Sequence, residues 1–209
     1  WKILTELPDT VPAVLVRRKG SATARDRMMS AIKKPIFNAL RDAAGGAAEL
    51  LDSRIEVIEG DLPNVPELPA DLDVVVHCAG DVSFDPPIDQ ALTTNVIGTK
   101  ALMDRMLQAV SDENGDPRNV PHYVHISTAY TAGRRRGAIP EAPHIHSIDY
   151  DAEAAAGVAM RELIEAESRT SARLAKLRKE AEREHRQAGF LTTAADTERR
   201  RLAWVQAEL

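Results

Sequence analysis

Two hydroxyls stand side by side in His125-Ile126-Ser127-Thr128-Ala129-Tyr130, directly after a β-branched run. A hydroxyl at the carboxyl end of a strand can hydrogen-bond a substrate carbonyl oxygen as negative charge develops on it. The same two side chains can instead satisfy backbone groups at a strand end. A second segment, Val74-Val75-Val76-His77-Cys78-Ala79-Gly80, ends an apolar run in small residues. A flat ligand can lie against backbone there, because a larger side chain would fill the crevice; a plain tight turn is the alternative. Asp81-Val82-Ser83-Phe84-Asp85 and Asn95-Val96-Ile97-Gly98-Thr99 follow.

Other candidates weigh less. His144 and His146 share one face of an extended segment, but two imidazoles without a neighbouring carboxylate or cysteine cluster make a poor metal site, and no metal is expected. His122 and His125 are three apart on a strand and point to opposite faces, so they cannot chelate together. Arg134-Arg135-Arg136 could meet a phosphate, although a solvated loop tip explains it as well. Cys78 is the single cysteine, lacks a resolving partner and sits in an apolar context, which argues against a reactive nucleophile.

The elements that must position these residues follow from periodicity. Residues 13–16, 55–58, 74–76 and 123–126 are short β-branched runs bounded by Pro, Gly, Asp or Asn and read as strands. The continuous apolar character of 13–16 and 74–76 predicts burial on both faces, as in a parallel sheet covered by helices. Ile88, Leu92, Val96, Thr99, Met103, Met106 and Val110 form one apolar stripe on a helix that starts after Asp85-Pro86-Pro87. A second helix is expected from Ala22 to Ala43, ended by Gly45-Gly46. Strand, helix, strand, strand, helix, strand is the order of βαβ units, so the expected class is α/β, a doubly wound parallel sheet of Rossmann type. From Arg161 to Phe190, fourteen of thirty residues are charged, leaving only a narrow apolar stripe. This reads as a long helix or helix pair, mostly solvated: an insertion packed along a sheet edge, or a partner-binding or coiled-coil element.

Composition narrows the function classes. The 209 residues are 44% apolar and 28% charged, enough for one sizeable core, and no window approaches the roughly 18 uninterrupted apolar residues of a membrane span. The formal net charge of −5 gives no reason to expect nucleic acid as a partner. It is unevenly spread: residues 1–53 carry nine basic and six acidic side chains, residues 54–130 four and thirteen, and residues 131–209 fourteen and thirteen. One cysteine excludes a disulfide scaffold and fits a reducing, cytoplasmic compartment. No signal segment precedes the strands, and the first residue is Trp1, so the chain is expected to begin within a longer protein.

Read in order, these motifs resemble one family. Ala13–Val16 followed by Arg17-Arg18-Lys19-Gly20, then Pro35-Ile36-Phe37, Glu59-Gly60-Asp61-Leu62, His77-Cys78-Ala79 with Phe84-Asp85, Asn95-x-x-Gly98-Thr99 and Ser127-Thr128-Ala129-Tyr130 look like the fatty acyl-CoA reductase group of the extended short-chain dehydrogenase/reductases, to which thioester reductase domains are similar. The resemblance covers about residues 1–142; the charged stretch after Tyr150 looks like an insertion of actinobacterial-type members. It implies a partial NAD(P)-binding Rossmann domain over 1–148, a helical insertion over 149–209, and NADPH-dependent reduction of a fatty acyl-CoA or acyl-carrier thioester to aldehyde or alcohol. By the same resemblance, Arg17 and Arg18 match the residues that meet the adenosine 2′-phosphate. Asp61 and Leu62 match the pair flanking adenine, and Cys78, Ala79 and Gly80 the nicotinamide-side turn, where the family more often has Ala in place of Gly80. Asn95 matches the helix asparagine that orders the active-site water and backbone. Thr128 aligns with the catalytic Ser/Thr, with Ser127 as the alternative.

Two departures stand out. The Thr-Gly-x-x-Gly-x-x-Gly phosphate loop is absent from the sequence, and no tyrosine has a lysine four residues on: Tyr130 has Arg134, Tyr123 has Ser127 and Tyr150 has Ala154. The Tyr-x-x-x-Lys pair would otherwise supply a tyrosine of lowered pKa as proton donor. The expectation is a fragment lying between those two motifs, inactive alone, with peripheral membrane contact left to regions outside it. The runners-up are another extended short-chain dehydrogenase, such as a sugar-nucleotide epimerase or dehydratase, and a non-catalytic nucleotide-sensing scaffold.

Overall fold

A computed structural model describes residues 1–83, 86–128, 133, 135–142, 147–184 and 190–209. The chain forms two compact units, Trp1–Val74 with Gly98–His122 and Val75–Ile97 with Tyr123–Leu209.

In the first unit, β1 (Ala13–Val16) pairs in parallel with β2 (Glu56–Glu59), Ala13 opposite Glu56 and Val16 opposite Glu59. A parallel pair needs a long crossover. It is supplied by α2 (Ala24–Ile32), a 3₁₀ turn (Pro35–Phe37), α3 (Asn38–Ala44) and α4 (Ala47–Arg54). The single helix expected over 22–43 is therefore broken, and Pro35 breaks it: proline lacks an N–H and disfavours the helical conformation in the residue before it, and Lys34 is extended at φ −66°, ψ 149°. At the other end, Thr23 Oγ1 accepts the Asp26 N–H at 3.1 Å while the Asp26 carboxylate accepts the Thr23 N–H at 2.9 Å. This reciprocal cap fixes where α2 begins. Gly45 ends α3 in the left-handed region at φ 89°, and α4 starts almost at once, a helix that periodicity did not reveal. Leu4 of α1 (Lys2–Glu6), Ile32, Leu50, Leu51 and Ile55 are buried together as the core beneath the strands. Each contributes about 1.5–3 kcal/mol by burial.

The helical run expected over 88–110 is also interrupted. It comprises α5 (Ile88–Ala91), a π-helical segment (Leu92–Ile97) and α6 (Gly98–Ala109). The buried positions of α6 are Gly98, Leu102 and Met106; of the expected stripe Met106 and Val110 are buried, whereas Met103 is exposed. From α6, Arg105 Nε donates to the Val65 carbonyl at 2.9 Å.

From their second residues on, the next two strands belong to the second unit: β3 (Val74–His77) lies beside β4 (His122–His125). The His122 N–H donates to Asp73 O at 2.9 Å and the Ile126 N–H to His77 O at 2.8 Å. Both strands advance by the same step in the same direction, the pattern of a parallel pair. The expected burial of 74–76 on both faces is not found: His77 is 3% exposed, but Val74 and Val76 are 50% and 56% exposed. Among the described residues the strands make two two-stranded sheets, and the class is α/β with short parallel strands, an incomplete Rossmann type.

Three helices follow, α7 (Tyr150–Ser168), α8 (Ser171–Glu184) and α9 (Phe190–Glu208). They start before and end after the charged stretch seen in the sequence. Gly157 lets α7 approach closely, since a Cβ there would stand 3.0 Å from Leu92 and 3.6 Å from the Asp89 backbone. One turn on, Arg161 makes a two-pronged ion pair with the buried Asp89. Between α7 and α9 the buried Arg201 donates to Glu165 and Ser168 at 2.8 Å each and to Glu198 at 2.7 Å. These charge-assisted seams stand where an apolar stripe is too narrow to hold the helices.

Candidate active site

The carboxyl end of β1 runs into Arg17, Arg18 and Lys19, all exposed. Backbone hydrogen bonds between Lys19 and Ala22, 3.1 Å each way, close a turn at Gly20, whose φ of 59° suits glycine. The neighbouring strand end supplies two carboxylates. Arg17 Nη1 lies 3.9 Å from Asp61 Oδ2, and Arg18 Nη1 lies 3.4 Å from Glu59 Oε1. Glu59 Oε2 also accepts the Ala24 N–H at 2.9 Å, completing the N-terminus of α2. Asp61 Oδ1 accepts the Leu62 N–H at 2.9 Å, and Leu62 is buried. Arg17, Arg18, Asp61 and Leu62 thus come together at one strand end, and Glu59, which is not among the site residues expected from sequence, belongs to the same cluster.

The second strand end carries small residues and an amide in place of arginines. Cys78, Ala79 and Gly80 leave β3 exposed, and Asn95, carried on the π segment, reaches back to the residue after them. Asn95 Oδ1 accepts the Asp81 N–H at 2.7 Å and its Nδ2 donates to the Asp81 carbonyl at 3.1 Å. This is a two-sided clamp on the turn. The approach is close, since a Cβ on Gly80 would stand 3.0 Å from Asn95 Oδ1 and the amide would have to give by a few tenths of an ångström. Beyond the clamp, the Ser83 N–H donates to Asp81 Oδ1 at 2.9 Å. That bond, then the Ser83 side chain, holds the Asp81 carboxyl below its ordinary pKa. The Ile126 N–H donates to the His77 carbonyl, so the paired strands release Cys78 and Ser127 from adjacent ends; Ser127 and Thr128 are both exposed.

Beneath that end lies a group that sequence reasoning missed. His77 Nδ1 is 2.8 Å from Tyr123 Oη and 3.0 Å from His125 Nδ1. The signal was present in principle, because Tyr123 and His125 are two apart on β4 and therefore share a face. Pairing that face with His77 required knowing the register. Burial lowers the His77 pKa, as does His125 nearby, while a hydrogen bond with the Ala79 backbone opposes them. Burial raises that of Tyr123.

The strand-end residues named from sequence therefore form two groups, one in each unit. Phe84, Asp85, Ala129, Tyr130, Arg134, His144 and His146 lie outside the described residues. Among the described residues no helix is long and apolar enough to cross a membrane.

Parallel strands that end in a basic turn and in a clamped small-residue turn define an α/β dinucleotide-binding domain. The chain belongs to the NAD-binding family described as male sterility protein, whose profile matches residues 2–193, so its cofactor class is a nicotinamide dinucleotide. It is similar to fatty acyl-CoA reductase 1 of Xenopus laevis, 28% identical over 144 residues that cover 65% of this chain and 26% of that protein. Fatty acyl-CoA reductase 8 of Arabidopsis thaliana is 27% identical over 158 residues, 69% of this chain and 30% of the relative. The alcohol-forming fatty acyl-CoA reductase of Simmondsia chinensis is 25% identical over 156 residues, 68% and 30%. The chain spans between about a quarter and a third of the length of these relatives.

Proposed function

We propose that this chain is the nucleotide-binding part of an NADPH-dependent, cytoplasmic reductase of fatty acyl thioesters, with residues 1–148 as a partial Rossmann domain and 149–209 as a helical insertion. The observation that carries the reading is the Asn95 clamp on Asp81, which holds an exposed small-residue turn at one of two adjacent strand ends while the other bears Ser127 and Thr128. Small residues with a fixed backbone fit a flat ring, and the names of the relatives point to acyl-CoA as the substrate. When bound, the cofactor supplies hydride to the thioester carbonyl carbon. The chain's own residues do the rest. Arg17 and Arg18 exchange their carboxylate partners for a 2′-phosphate, Leu62 and Asp61 flank the adenine, and Cys78, Ala79, Gly80 and Asn95 seat the nicotinamide end. The Thr128 hydroxyl donates to the carbonyl oxygen as charge develops there.

Alone, the 209 residues bind NADPH weakly, because no glycine loop is present to offer backbone N–H groups to the diphosphate. The test is to fuse the chain to the segments of a fatty acyl-CoA reductase that carry the glycine loop and the Tyr-x-x-x-Lys pair, confirm folding by circular dichroism, and follow NADPH oxidation on adding a long-chain acyl-CoA. Turnover by the fusion and none by the chain alone is expected; turnover by the unfused chain, or a folded fusion that is inert, overturns the reading. In the active fusion, Thr128→Ala lowers kcat about 10²–10³-fold with cofactor affinity unchanged. An equal loss for Ser127→Ala and none for Thr128→Ala moves the role to Ser127.

A further inference from the structure

The paired strands of the second unit carry a titratable cluster, a buried His77 with a half-buried Tyr123 and an exposed His125, that has no part in the function proposed. His77 ends β3 at 3% exposure, yet its Nε2 has no hydrogen-bond partner among the described residues. Its other nitrogen meets two groups of β4, Tyr123 Oη and His125 Nδ1. The two imidazoles are close, with ring centroids 4.9 Å apart. An imidazolium needs an acceptor at both nitrogens, and a buried N–H left without one costs about 1–3 kcal/mol. The neutral ring avoids that cost when its proton sits on Nδ1, from which it can be donated to His125 or Tyr123, leaving only a lone pair on Nε2. Burial, then His125 on the neighbouring strand, oppose protonation of His77, and together they outweigh the Ala79 backbone, which favours it.

The next residues on the two strands are the ones given a function above. Cys78, Ala79 and Gly80 follow His77 directly, and Ser127 follows His125 by two. We propose that His77 is a positioning residue: its neutral imidazole, donating from Nδ1 to Tyr123 or His125, ties the end of β3 to the end of β4 and so holds the Cys78-Ala79-Gly80 turn in register with Ser127 and Thr128. Protonation adds a second N–H at the buried Nε2, which has no hydrogen-bond partner among the described residues, so the charged ring is driven out of its site and the tie goes with it. The folded state disfavours the charged ring, so the stability this contact contributes is complete above the ordinary histidine pKa of about 6.5 and is lost as pH falls below it. The mechanical link stands on geometry; its bearing on nicotinamide and acyl binding rests on the function proposed above.

Histidine-ring and backbone amide NMR on the ¹⁵N-labelled 209-residue chain, titrated from about pH 8 to about pH 5 across the histidine range, tests the link without cofactor. His77 is expected as the Nδ1–H tautomer at neutral pH, titrating below the ordinary histidine value, with the amides of Cys78, Gly80 and Ser127 following its curve. His77→Asn places an amide near the Nδ1 position; it keeps the neutral-pH amide shifts and abolishes the coupled step. His125→Asn moves the His77 titration upward, because a like charge is gone. If His77→Asn does not fold, Tyr123→Phe serves instead, and it must shift the amides of both strand ends at neutral pH. A His77 that titrates at the ordinary value, amides indifferent to it, or a coupled step that survives in His77→Asn overturns the proposal. A chain that titrates as expected but whose fusion reduces no acyl-CoA refutes the reductase reading and leaves the positioning role intact.

Discussion

The ends of the two parallel strand pairs are built on the same backbone plan and filled with opposite chemistry. At the end of β1 and β2, arginines and carboxylates face each other in water, with the Arg17 and Asp61 side chains 67% and 54% exposed. At the end of β3 and β4, ring and amide hydrogen bonds do the holding, with His77 buried and Asn95 clamping a backbone turn. Solvated ion pairs are weak and exchangeable, each contributing about 0–1 kcal/mol, so the first end can release its carboxylates to an incoming anion. Hydrogen bonds to backbone at fixed positions do not exchange so readily, and the second end therefore suits the placement of a reacting group. Ease of partner exchange thus separates a charge-recognising end from an orienting one, although both are strand termini of a parallel pair.

The harshest way to break the comparison is to remove what supports the first end. Leu51 is fully buried beneath β1 and β2, and Leu51→Ala should lower unfolding free energy by about 2–5 kcal/mol in urea denaturation. A loss under about 1 kcal/mol would mean that the site collapses around the cavity and the core is not the platform described. A smaller effect tests exchange. In the active fusion, Arg17→Ala or Arg18→Ala should weaken NADPH by about 10- to 100-fold and leave NADH nearly unchanged, as read by fluorescence titration of both cofactors. Parallel weakening of the two would show that the arginines do not read the 2′-phosphate. The second end should respond differently: Asn95→Ala removes two hydrogen bonds to Asp81 and should cost about 1 kcal/mol, with faster amide exchange at Asp81 and the turn before it. Unchanged exchange there would show that the turn holds itself. The slightest change is expected for Asp61→Asn, under about 1 kcal/mol and vanishing at high salt. A salt-insensitive loss above that size would put the Arg17 pair among structural contacts and end the contrast between the two termini.

Much of this arrangement is legible in the order of residues. The β-branched runs between Pro12 and Gly60 locate β1 and β2 to within one residue, without any knowledge of which side chains are buried. The basic turn after β1 and the small-residue turn after β3 are visible as types, and the ordered motifs lead to the family that the profile match establishes. Other features are hidden for physical reasons. The π segment at 92–97 interrupts the helical run without any composition signal, because no residue type marks a π turn. The break at Pro35 is available in principle, yet the apolar spacing on either side masks it.

Sequence by itself determined the α/β class, the strands and the kinds of side chain at their ends, since alternation, caps and Gly or Pro stops are local properties of the chain. Only the tertiary structure decided which ends pair and which groups meet there: Glu59 and Asp61 against the arginines, Asn95 against Asp81, and His77 between Tyr123 and His125. Those contacts join residues 14 to 48 positions apart, and register, burial and the protonation state set by burial exist only after the chain has closed on itself.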